Sequence, residues 1–79
     1  MTKEIQRILV VDDSAEDRMA IKRVLGKMDK GYEIVEAESG EEGLTKVEQE
    51  SFDLIICELE ILSDIEVYIS HMSLSFFLV

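Results

Sequence analysis

Cysteine occurs once, at position 57, so the chain can form no intramolecular disulfide and no cysteine zinc cluster, and a reducing cytoplasm is its natural setting. Basic residues are scarce: 8 Lys and Arg stand against 18 Asp and Glu, for a formal net charge of −10. That balance excludes nucleic-acid backbones and anionic membranes as direct partners, and it suits a cation site or a basic protein partner. No apolar run is long enough to span a bilayer, and the opening MTKEIQR is too polar for a signal peptide. Proline and tryptophan are missing altogether, and low-complexity linkers and internal repeats are absent too. What remains is ordinary for a soluble globular chain, 47% hydrophobic and 33% charged, and its 79 residues allow one domain. A chain of this size buries only about 60% of its unfolded surface, so every strand matters to the core.

What is present alternates. RILVVDD, residues 7–13, puts four apolar residues before two acids, the pattern of a strand buried on both faces in a parallel sheet. Ser14, with Asp17 three positions on, opens a helix whose apolar residues Ile21, Val24, Leu25 and Met28 recur at helical spacing, leaving Arg18, Lys22 and Arg23 for the wet face. Gly26 weakens its last turn by about 1 kcal/mol relative to Ala, and Gly31 closes the segment. YEIVEA, residues 32–37, reads as a second strand. Ser39 and Glu42 form a capping box for a helix with Leu44 and Val47 on its apolar face, and Glu41 and Glu42 suit the positive end of its dipole. Residues 53–57 are the third strand. Ser63 and Glu66 cap a further helix carrying Ile65, Ile69 and Met72, and SLSFFLV is a fourth strand. Strands alternating with helices mean βαβ units and a parallel sheet. Cys57 is expected as a small buried hydrophobe, Met19, Met28 and Met72 as core or gap fillers, and His71 as a helix-end or surface residue.

In open α/β sheets, ligands bind beyond the carboxyl ends of the strands, where the strand order reverses. With the order 2-1-3-4, the first and third strands are neighbours there, and Asp12, Asp13 and Glu58 converge. Three such carboxylates raise one another's pKa values unless a cation is present, and Mg²⁺ with oxygen ligands is the usual remedy. Asp12 and Asp13 alone read equally well as a strand-end turn that caps a helix. Glu58 tips the balance, because independent turn acids need not face one another.

Together the stretches ILVVDDS, EIVEAESGEEGL and FDLIICE, in that order and spacing across residues 7–58, resemble the first three strand–helix units of a response-regulator receiver domain of two-component signalling. The resemblance implies a flavodoxin-like, doubly wound parallel sheet with helices on both faces, here partial, with about four strands. It implies a module of a phosphorelay that takes a phosphoryl group from a histidine kinase, not an enzyme. Asp12 and Asp13 match the family's Mg²⁺-binding acids, with Asp13 the direct ligand. The backbone carbonyl of Glu60 matches the third protein ligand, and Glu58 matches the phospho-acceptor.

Three departures from the family pattern accompany the match. Glu58 stands where the family has aspartate, and its extra methylene moves the carboxylate about 1.5 Å outward. Ile61-Leu62 replaces the usual Met-Pro, and no glycine follows Gly43. The chain stops at the fourth strand, before the hydroxyl and lysine residues that bind the phosphoryl group, and from Val67 to Val79 there is no charged residue. Residues 1–79 therefore read as a single incomplete receiver domain, cytoplasmic, that is not phosphorylated normally and acts by binding a histidine kinase or regulator protein. Its apolar last strand predicts self-association. The same departures also fit a fragment of a truncated or frameshifted gene with no function of its own. A Mg²⁺-dependent phosphatase is the remaining reading, against which stand the missing aspartate-x-aspartate nucleophile and phosphate-binding lysine.

Overall fold

The structure, a computed structural model, describes residues 5–28, 30–58 and 61, and the backbone of 75–78. Strands β1 (Arg7–Val11), β2 (Glu33–Ala37), β3 (Leu54–Cys57) and β4 (Ser75–Leu78) form one parallel sheet in the order β2-β1-β3-β4. Helices α1 (Ala15–Lys27) and α2 (Gly40–Gln49) are the crossovers between β1 and β2 and between β2 and β3. This is the doubly wound, flavodoxin-like order expected above. The helix expected after Ser63, the Glu60 carbonyl, His71 and Met72 lie outside the described residues.

The two helices occupy opposite faces, and the reason is handedness. The first crossover moves one way along the sheet and the second moves back past β1, so two right-handed crossovers require a helix on each side. Burial follows the two-residue period of β1. Leu9 and Val11 pack with Val47, Phe52, Ile55 and Cys57 on the α2 side, and Ile8 and Val10 pack with Ile21, Leu25 and Ile56 on the α1 side. Ile8, Leu9, Val10, Val11, Ile55 and Cys57 are all but sealed from solvent, as a strand covered on both faces requires. Each large apolar side chain among them contributes about 1.5–3 kcal/mol by burial.

Both helices start where the caps predict. The Ser14 Oγ accepts the Asp17 N–H at 3.3 Å, and the Ser39 Oγ accepts the Glu42 N–H at 3.1 Å. Glu42 completes its box one residue further back than the ideal, accepting the Glu38 N–H at 3.2 Å. Helix α1 runs through Gly26 and closes with a tightened bond from the Met28 N–H to the Leu25 carbonyl at 3.2 Å. Gly31 follows with φ of 68°, a left-handed turn suited to glycine. Strand β3 begins one residue later than expected, because the Asp53 carboxylate turns back to accept the N–H groups of Gln6 and Arg7 at 2.9 and 3.0 Å.

Four expectations for α1 are corrected. Arg18, assigned to the wet face, is buried, whereas Met19 and Met28, assigned to the core, are half or more exposed, and Val24 is exposed with them. The stripe that meets the sheet runs through Arg18, Ile21 and Leu25, spaced i, i+3, i+7, and at about 100° per residue Val24 and Met28 fall beside it.

Candidate functional site

The site is built by extending the ladder of β1 by one residue on each flank. Val11 stands opposite Ala37 of β2 and Cys57 of β3. Beyond it, the Asp12 N–H donates to the Ala37 carbonyl at 3.1 Å, and the Glu58 N–H donates to the Val11 carbonyl at 3.0 Å. Asp12 and Glu58 therefore leave adjacent strands at the same level. Carboxylate oxygens of Asp12, Asp13 and Glu58 all lie within 4.8 Å of one another.

The three acids differ in their surroundings. Asp12 is buried, and its Oδ1 accepts the Ser14 N–H at 2.9 Å, which ties the carboxylate to the start of α1. Asp13 is exposed, and Glu58 is half-buried. The Oε2 of Glu58 is shut away from solvent and has no hydrogen-bond partner among the described residues. Burial, first, and then the charges of Asp13 and Asp12 push the Glu58 carboxyl above its ordinary value of 4.5. The Glu58 carbonyl accepts the Ile61 N–H at 3.0 Å and the Cys57 thiol at 3.3 Å, and Ile61 is buried in the α2-side core.

Charge is carried to the edge of this cluster by one buried cation. The Arg18 Nη1 donates to the Asp12 carbonyl at 2.6 Å, and its Nε donates to the Glu36 Oε1 at 3.0 Å. Its Nη2 lies 3.8 Å from the Glu38 carboxylate. Lys22 takes the other Glu36 oxygen at 3.0 Å. The Lys22 ammonium foremost, and the Arg18 guanidinium after it, hold the Glu36 carboxyl below its ordinary value despite partial desolvation.

Three of the residues expected to form a metal site, Asp12, Asp13 and Glu58, are thus brought together, and the fourth, Glu60, lies outside the described residues. Three hard oxygen donors of like charge, one with an orphaned buried oxygen, fit a hard divalent cation such as Mg²⁺. Sequence reasoning missed Arg18. Its i, i+3, i+7 register with Ile21 and Leu25 was the available signal, masked by the habit of assigning every charged helix residue to water.

A cleft of about 640 Å³ opens at the other end of the sheet, beside Arg7, Lys30, Tyr32 and Glu33. There Arg7 is committed to Glu33, to Glu50 and to the Ser51 carbonyl, and its guanidinium lies 5.0 Å from the Phe52 ring centre. The cleft holds no convergence of acids, and the strand order reverses at the opposite end, so the acidic cluster is the better candidate.

Residues 8–65 match the family described as response regulator receiver domain. The chemotaxis protein CheY of Bacillus subtilis (strain 168) is 44% identical over 54 residues, which are 67% of this chain and 43% of that protein. This chain thus spans less than half of the length of that relative. Among solved structures, the response regulator TrrA of Thermotoga maritima, determined in complex with Mg²⁺ and BeF, is 36% identical with a TM-score of 0.72, covering 86% of this chain and 62% of that one. A response regulator receiver protein of Pseudomonas putida gives 26% identity and a TM-score of 0.76, covering 99% and 69%.

Proposed function

The chain belongs to the response regulator receiver domain family of two-component signalling, and from that premise we propose that it is a receiver module whose acceptor position holds a charge instead of receiving one. Asp12, Asp13 and Glu58 hold a divalent cation, Mg²⁺ foremost, and the module works by binding a histidine kinase or another regulator protein. The observation that carries this reading is the buried, unpartnered Oε2 of Glu58 beside the two aspartates. Bound there, the cation neutralises clustered carboxylate charge, as it does for phosphoryl oxygens in transfer reactions.

The same side chain argues against ordinary phosphorylation. Attack on a phosphoryl group demands near-linear geometry, and about 1 Å of misplacement costs roughly two orders of magnitude in rate. The extra methylene of Glu58 displaces the carboxylate by about 1.5 Å. A fixed carboxylate reaching further from β3 than aspartate does is a crude, permanent substitute for an acyl phosphate. The net charge of −10 favours a partner with a basic docking surface over nucleic acid. As the outer strand of the sheet, β4 also favours self-association, which light scattering over a wide concentration range measures.

Mass spectrometry tests the central point. Incubated with Mg²⁺ and a small-molecule phosphodonor, the protein is expected to keep its unmodified intact mass, and Glu58→Asp is expected to gain one phosphoryl group. A stoichiometric adduct on Glu58 itself overturns the reading.

A further inference from the structure

We propose that Arg18 is the positioning residue of the acidic site, acting through the main chain of Asp12 without touching the ion. This rests on Asp12, Asp13 and Glu58 being a divalent-cation site. Asp12 is fixed at three atoms: its N–H by the Ala37 carbonyl, its Oδ1 by the Ser14 N–H, and its carbonyl by Arg18 Nη1 at 2.6 Å. The first two bonds come from the fold itself, as strand ladder and helix entry. The third comes from a side chain that the sheet has buried, with only 9% of its surface exposed.

Arg18 is in turn held from behind. Its Nε is taken by Glu36, which sits opposite Val10 in the β1–β2 pairing, and Lys22 occupies the other Glu36 oxygen. The chain of contacts runs Lys22, Glu36, Arg18, Asp12 carbonyl, and it bridges β2 to the turn that presents Asp12 and Asp13. Only a planar guanidinium can reach the Asp12 carbonyl and the Glu36 carboxylate together with fixed angles between its N–H groups. An ammonium is a compact point charge without that fork.

The sign of the effect separates this role from two simpler ones. Arg18 carries positive charge beside the site, so Coulomb's law alone makes its removal tighten cation binding. A residue that only stabilises the fold would lower the melting temperature and leave the affinity of the folded protein unchanged. A positioning residue does neither: its loss weakens binding, since outer-shell partners of metal ligands typically contribute about 10-fold or more to affinity.

The experiment uses charge-conserving variants. Mg²⁺ is titrated into the wild-type chain, Arg18→Lys and Glu36→Asp by calorimetry, at a temperature where circular dichroism shows each to be folded. Arg18→Lys keeps the charge and loses the fork, and Glu36→Asp keeps the charge and retracts the anchor. Arg18→Lys is expected to weaken Mg²⁺ about 10-fold, with Glu36→Asp shifted in the same direction. Unchanged or tighter binding by folded Arg18→Lys overturns the inference while the cation site stands. Where Arg18→Lys does not fold, Glu36→Asp decides by the same criterion. A wild-type chain that binds no Mg²⁺ overturns the cation site and this inference with it.

Discussion

The Glu58 N–H donates to the Val11 carbonyl at 3.0 Å, one rung beyond the last residue of β3. That bond sets the height at which the glutamate leaves the sheet, level with Asp12 and next to it. Its charge is therefore decided by its neighbours as much as by its own chemistry.

One consequence is a pH dependence of the metal-free protein. Because burial and the charges of Asp13 and Asp12 raise the Glu58 carboxyl, the folded state binds more protons than the unfolded chain between 4.5 and the raised value. Unfolding free energy from this group falls as pH rises through that window. In Glu58→Gln the slope disappears, and the variant melts higher than wild type above the window. Thermal denaturation in chelator from pH 4 to 8 reads both effects, and equal melting of the two proteins at pH 7 would count against the assignment.

Glu36 titrates with the opposite sign. Held low by Lys22 and then Arg18, it contributes stability that is present above its ordinary value of 4.5 and lost as pH falls through its lower folded value. With its side chain 38% exposed, the contribution is screened and worth less than about 1 kcal/mol. Urea denaturation of Glu36→Gln is expected to show a deficit at pH 6 that closes at pH 3.

If Asp12, Asp13 and Glu58 hold Mg²⁺ as proposed, the ion stabilises the folded state by mass action. At free Mg²⁺ about ten times its dissociation constant the gain is roughly 1.4 kcal/mol, which raises the melting temperature of a domain this size by several degrees. Glu58→Ala, which removes the buried, unpartnered oxygen, is expected to lose most of that gain. An identical Mg²⁺-induced shift in the variant would remove Glu58 from the ligand set.

Packing behind the site is tight at Gly43. A Cβ there would lie 3.1 Å from Val11 Cγ2 and 3.4 Å from Cγ1. Val11 is sealed in the core and stiff at χ1, so it yields little. Gly43→Ala gains about 1 kcal/mol of helix propensity and costs about 1–3 kcal/mol of overpacking. Net destabilisation of about 1 kcal/mol is expected from urea titration, and net stabilisation would show that β1 and α2 can separate to accommodate a methyl group.

Much of this was legible in one dimension. The run RILVVDD announces a strand covered on both faces, because only burial on both sides removes the polar alternation of a half-wet strand. Ser39 and Glu42 announce a helix start through groups only three residues apart. Asp12, Asp13 and Glu58 were identifiable as a set because parallel strands with crossovers bring their carboxyl ends to one edge.

Arg18 was not legible in the same way, and neither were Met19, Val24 and Met28. Which residues of a helix meet a sheet depends on how the helix is rotated about its own axis, and periodicity leaves that rotation open when two adjacent stripes both look plausible. In α1 the choice was made by partners distant in sequence: Glu36 on β2 and the Asp12 carbonyl offered hydrogen bonds that only a guanidinium could take together, and Met28 was left half in water. By itself, the sequence determined the order of the described strands and helices, the caps of α1 and α2 and the acids at the strand ends, since these depend on local spacing and chain direction. The tertiary structure alone decided which cation stands behind those acids and that one oxygen of Glu58 is buried without a partner among the described residues, because burial and hydrogen bonding are settled between elements.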